Sequence, residues 1–149
     1  MSRTVIDRET LTLTFKRHIQ VACEDVFDAW TRPEEIGQWW DPTGVSLSKC
    51  TIDLRVGGTF TFENAGHSPP FTGVYTALER PWKIAFDAMG SSGTVSLTEE
   101  GGATRMQVTI RCGSAAQLEQ LLKMGVDTNT EKTLDNLVKH AEKRSKSPR

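Results

Sequence analysis

CEDVFDAWTRPEEIGQWWDP, Cys23 to Pro42, decides how the rest of the chain is read. Val26 and Trp30 are spaced i, i+4, and Phe27 and Trp30 i, i+3, which makes one helical stripe. Glu24 and Asp25 occupy the first turn, where the helix dipole favours acids. Pro33 stops this helix and fits the first position of a second one. Glu34 and Glu35 follow in that helix's first turn, and Ile36, Trp39 and Trp40 share its inner face. The stretch therefore predicts two short helices joined at a proline, both turning indoles inward. Trp39 and Trp40 are adjacent and point about 100° apart. One is expected to face the core and the other the mouth of the space that the helices close.

Outside this stretch the pattern is β. Leu11, Leu13 and Phe15 alternate with Thr12, Thr14 and Lys16, and the same parity runs on through Ile19 and Val21. Arg17 falls on the apolar face. It reads either as an arginine whose stem packs while its head reaches water, or as a charge aimed into a cavity. After Pro42 the sequence predicts strands near Val45–Arg55, Thr59–Asn64, Phe71–Leu78, Trp82–Ala88, Thr94–Thr98 and Thr104–Cys112. Turn chemistry separates them: Gly57-Gly58, Gly66 to Pro70, Glu79 to Pro81, Gly90 to Gly93, and Glu100 to Gly102. Links this short suit consecutive antiparallel hairpins. Phe60 and Phe62, then Trp82, Ile84 and Phe86, Val95 and Leu97, and Met106, Val108 and Ile110 mark one apolar face that needs a cover.

That cover falls to the last helical run. Ser114 to Gln117 reads as a capping box. The stripe of Leu118, Leu121 and Leu122 and the stripe of Leu134, Leu137, Val138 and Ala141 lie roughly 160° out of phase. A break is expected between Met124 and Asn129, with Thr128 to Glu131 as a second capping box. The fold class predicted is α+β: a curved seven-stranded antiparallel sheet gripping a C-terminal helix, with two short helices after strand one. Tails at 1–10 and 144–149 are expected to be loose.

The chain's 149 residues carry a net charge of −1, so one domain is expected and no basic field invites nucleic acid. Three cysteines, Cys23, Cys50 and Cys112, form no metal or disulfide pattern. No apolar run approaches the ~18–20 residues that span a membrane, and no signal peptide is evident. Cytoplasmic residence is the expectation, with reduced thiols.

Chemistry-bearing residues are few. Asp53 and Arg55 alternate with Ile52, Leu54 and Val56. A two-residue turn at Gly57-Gly58 would pair Arg55 with Phe60 and turn both charges inward, whereas a bulge would turn them outward. His67 sits in a loop and is either a general acid or base or a plain surface residue. His18 and His140 show no metal-ligand spacing with it. No nucleophile elbow or phosphate-binding glycine loop is present, and no cofactor or metal is expected.

DVFDAWTRPEEIGQWWDP, IDLRVGGTFTF and FTGVYTALERPWKIAF, in that order, resemble signatures of the activator of heat-shock protein 90 ATPase homologue family. That family lies in the START-like, helix-grip (SRPBCC) superfamily, and the resemblance runs from Leu11 to Val138. It implies a helix-grip domain with an internal pocket for an apolar or amphipathic small molecule. Expected walls are Trp30, Trp40, Phe60, Phe62, Tyr75, Trp82, Phe86, Met106 and Leu121, with Arg17 or Arg55 as the polar anchor. A cyclase- or hydrolase-like enzyme and a module that stimulates a chaperone ATPase are the alternatives. The namesake co-factor has a further N-terminal domain, which is not expected here because only about ten residues precede the first predicted strand, and chaperone activation is therefore not the first expectation. Many relatives carry Gly-Trp in the last helix; here Gly125 is followed by Val126, which is expected to reshape the pocket.

Overall fold

Period-two alternation folds as strands, and the break at Pro33 folds as two helices. The computed structural model describes residues 4–43, 46–64 and 70–146. Their order is β1 (Val5–Asp7), β2 (Thr12–Ile19), α1 (Cys23–Thr31), α2 (Pro33–Trp39), β3 (Lys49–Ile52), β4 (Thr59–Glu63), β5 (Phe71–Glu79), β6 (Lys83–Ala88), β7 (Ser91–Glu100), β8 (Ala103–Cys112), α3 (Ala115–Lys123) and α4 (Val126–Lys146). Among the described residues one antiparallel sheet of eight strands forms, in the order β1-β2-β8-β7-β6-β5-β4-β3. The curved sheet and its helical cover make the helix-grip arrangement. The extra strand is β1, which pairs Val5 with Thr14 and Asp7 with Thr12, where a loose tail was expected. Three residues show no usable period, so the pairing was not legible.

Parity fixes the inner face. Leu13, Phe15 and Ile19 of β2 are fully buried, opposite Ile110, Val108 and Thr104 of β8. Arg17 shares that face and lies opposite Met106. α4 packs on β2 and against α1, α2 and α3, while α2 lies against β3. Leu134, Leu137 and Ala141 supply the buried stripe of α4. In α3 only Leu118 of the expected stripe is buried; Leu121 and Leu122 are half-covered. The break between the two stripes falls at Met124-Gly125, where Gly125 has φ +76°. The Gly125 carbonyl accepts from the Asn129 N–H, so α4 starts ahead of the capping box expected at Thr128. Ser114 does cap α3, its side chain accepting from the Gln117 N–H at 3.1 Å.

One glycine reading is corrected. Gly93, expected in a turn, lies inside β7. Tyr75, Phe86, Gly93, Ile110 and Leu13 form one cross-strand row. A Cβ on Gly93 would sit 2.5 Å from the Phe86 ring, so the missing side chain makes room for that ring. The actual turn is Met89-Gly90, where Ala88 pairs with Ser91 and both central residues have positive φ, 54° and 82°. This is the signature of a type I′ turn, which favours Asn-Gly. Methionine in the left-handed region costs about 1–2 kcal/mol. Met89, at 61% exposure, gains little from packing in return. Met89→Asn is expected to raise stability by about 1 kcal/mol in chemical denaturation; an unchanged or lower midpoint contradicts that account.

Candidate functional site

Pro33 shapes the site before any ring does. The Ala29 carbonyl, in the last turn of α1, would ordinarily accept from the backbone N–H of residue 33, and proline has none. The Trp39 indole fills the vacancy, with its Nε1–H donating to the Ala29 carbonyl at 3.0 Å. Trp39 is 1% exposed and meets Trp30 edge-on, ring centroids 4.9 Å apart at 79°. Trp30 in turn donates its Nε1–H to the Met106 sulfur at 3.4 Å. These two indoles are thus committed to joining α1, α2 and β8. Asp28 ties the same helix to the β5–β6 turn through Arg80, at 2.7 Å.

Trp40 touches Trp39, ring centroids 6.0 Å apart, but its other contacts differ. It is half-buried and packs on Phe62 and Phe71, with ring centroids at 4.9 and 5.0 Å. Phe60 links this group to Tyr75 (5.1 Å) and Phe86 (5.4 Å). Trp30, Ile36, Trp40, Phe60, Phe62, Phe71, Tyr75, Ile84 and Phe86 line one small cavity, about 10 Å³ in volume. A single water needs about 10–15 Å³, so the rings are nearly closed on one another. α4 braces the rim of this cluster. Thr133 donates to the Trp40 carbonyl at 3.1 Å and Asn136 to the Asp41 carbonyl at 3.0 Å.

Several expected site residues stand elsewhere. Trp82 has the inner parity but precedes β6 and is 49% exposed. Met106 is fully buried behind Trp30, and Leu121 lies in α3 outside the lining. The Arg17 side chain is buried and held by Asp135 at 3.0 Å, Glu131 at 3.9 Å and the Lys16 carbonyl at 2.9 Å. It joins β2 to α4. Arg55 is exposed and pairs with Asp53 at 2.9 Å in the loop after β3. That loop is no two-residue turn: the Asp53 N–H bonds the Thr59 carbonyl, and Gly57 donates to Tyr75. The inward positions of β3 are Cys50 and Ile52, opposite Phe62 and Phe60.

His67 lies outside the described residues. His18 is exposed and contacts Gln20 at 3.1 Å. His140 meets Glu35 at 3.3 Å between α4 and α2. No group of His, Cys, Asp and Glu among the described residues has the makings of a metal site. Phe71, Ile36 and Ile84 were missing from the expected lining. Phe71 shares parity with Gly73 and Tyr75, so alternation alone puts it on their face.

The polar atoms of the lining are few. Among the described residues, the Tyr75 hydroxyl and the Trp40 indole N–H have no hydrogen-bond partner, and no sealed polar side-chain atom is left unsatisfied, so both retain access to open space. Burial pushes the Tyr75 phenol up from its ordinary value, with the nearby Cys50 adding to the shift. Burial also pushes the Cys50 thiol up to about 11, helped by the charge of Glu34. In both groups the fold favours the protonated form. The Cys50 contribution to stability is complete below the ordinary thiol value of 9.0 and is lost as the pH climbs through about 11, while that of Tyr75 begins to be lost only above the ordinary phenol value of 10.0. Melting temperature is expected to fall over that interval, less steeply in a Cys50→Ala, Tyr75→Phe double variant. Equal slopes contradict this.

No curated protein matches the chain in sequence. Solved structures match it in fold. A protein from Nitrosomonas europaea aligns with a TM-score of 0.84 at 20% identity, covering 93% of this chain and 98% of that one. One from Arthrobacter aurescens gives 0.85 at 19% identity, covering 94% and 91%. The AHSA1-like protein from Aeromonas hydrophila gives 0.74 at 24% identity, covering 93% and 96%. At these identities the likeness is one of fold. The sequence family described as activator of Hsp90 ATPase homolog 1-like protein matches residues 20–142, from just ahead of α1 into the last turns of α4, and this chain belongs to that family.

Proposed function

We propose that the chain is a small-molecule-binding domain whose ligand enters among the rings of Trp40, Phe60, Phe62, Phe71, Tyr75 and Phe86. The observation that carries this reading is an aromatic wall holding two hydrogen-bonding atoms that have no partner among the described residues. Binding pockets are mostly apolar with a few placed polar groups, which is the composition of this wall. The family fold supports ligand binding in general.

A cavity of about 10 Å³ admits no organic ligand as it stands. Entry requires rings to move. Trp40 and Phe71 are half-buried, whereas Phe60, Phe62 and Tyr75 are buried, so the first pair moves at least cost. A ligand that slips between these two rings and the wall gains apolar contact with both and leaves the Trp40 N–H beside it. The test is thermal: 2-naphthol is expected to raise the melting temperature in a concentration-dependent way. A flat melting temperature for 2-naphthol and for a panel of other neutral aromatics removes the reading.

The family description supports a second reading, contact with a chaperone. Its test is direct association with purified Hsp90 at physiological salt; no binding at the highest soluble concentration rejects it.

A further inference from the structure

We propose that this pocket selects neutral ring-bearing molecules with a hydroxyl or carbonyl oxygen and rejects the matching carboxylates; the inference rests on the binding reading above. The reason is what surrounds the rings. An acidic head group needs a cation, and the two arginines that sequence nominated are both engaged elsewhere. The Arg17 guanidinium spends its donors on Asp135 at 3.0 Å, on the Glu131 carbonyl at 3.2 Å and on the Lys16 carbonyl at 2.9 Å. Arg55 stands in solvent, its Nε bonded to Asp53.

The nine lining residues include no Lys, Arg or His. They include no Asp or Glu either, so the wall is uncharged throughout. A carboxylate entering this wall would surrender its water shell and find no cation in return. An uncharged ligand avoids that penalty.

The uncommitted atoms specify the rest. An indole N–H only donates, and a phenol hydroxyl both donates and accepts. A ligand that satisfies both must therefore offer an acceptor oxygen. Hydrocarbon ligands fill the apolar space but leave both groups unpaired, and a site that hydrogen-bonds its ligand discriminates against analogues lacking the partner.

The experiment compares 2-naphthamide with 2-naphthoate by titration calorimetry at pH 7.5. The two have nearly the same shape and differ in charge. Naphthamide is expected to bind at least about 30-fold tighter, reflecting the missing cation. Equal affinities overturn the charge selection while leaving the pocket in place. Absence of binding by naphthamide, naphthoate and 2-naphthol alike overturns both the selection and the pocket. In a Tyr75→Phe variant naphthamide should weaken by about 3- to 10-fold, the size of one neutral hydrogen bond, while naphthalene keeps its affinity. An equal loss for both probes overturns the hydrogen-bond part.

Discussion

Trp39→Ala is expected to cost about 3–5 kcal/mol, the range for truncating a fully buried large aromatic. At roughly 2–4 °C per kcal/mol for a chain of this size, the melting temperature should fall by roughly 6–20 °C. Three losses combine. The ring is 1% exposed, so truncation leaves a cavity that α1 and α2 cannot fill without shifting. Its edge-on contact with Trp30, at 4.9 Å, disappears. The Ala29 carbonyl loses the only donor shown for it, and Pro33 offers none. Trp39→Phe separates the terms, because it keeps most of the ring and removes the donor. It should retain about half of the lost stability. A Trp39→Ala cost below about 1 kcal/mol would mean the indole is not the tie between the helices.

Arg17→Ala comes second, at about 3 kcal/mol. A buried ion pair that loses one partner leaves the other uncompensated, which costs about 3–5 kcal/mol in deep sites. Here the cost lies at the lower end, because the Asp135 side chain is 46% exposed and can rehydrate. Arg17→Met fills the same stem space with no charge and should stay within about 1 kcal/mol of the parent. The same Met variant separates structure from binding. Arg17 bonds α4 and lines no part of the ring cavity, so Arg17→Met should leave naphthamide affinity unchanged. A drop of tenfold or more would return Arg17 to the role of ligand anchor that its sequence position first suggested.

Much of the fold was legible because two punctuation systems agreed. Alternation marked the strands, and Pro33 with its flanking acids marked the helix pair. β1 escaped because three residues carry no period. Gly93 misled because a glycine beside Met89-Gly90 reads as part of the turn, while its cause is the Phe86 ring lying over the β7 backbone. Local sequence cannot display a contact between strands.

The site was legible in part, for the same physical reason. Parity correctly put Phe60, Phe62, Tyr75 and Phe86 on one face, and the helix angle left Trp39 buried and Trp40 half-buried, with their rings still 6.0 Å apart. Parity also put Trp82 on that face, but the residue precedes β6 and stands half in solvent. Whether Asp53 and Arg55 face in or out turned on the loop from Asp53 to Gly58. That loop closes on hydrogen bonds from Asp53 to Thr59 and from Gly57 to Tyr75, and a register set by such bonds is invisible in a string of residues. Arg17 was legible as an oddity on an apolar face. Its partners on α4, Asp135 and Glu131, lie more than a hundred residues away, on a helix that no local pattern links to β2.

Ring displacement at Trp40 is the step on which the functional account depends. The chain's four tryptophans give four indole N–H signals in a proton–nitrogen correlation spectrum, assigned with Trp40→Phe and Trp82→Phe variants. Titration with 2-naphthamide should move the Trp40 signal saturably, while the signal of exposed Trp82 stays fixed. A Trp40 signal that holds still while the probe binds, or movement confined to Trp82, would contradict the account.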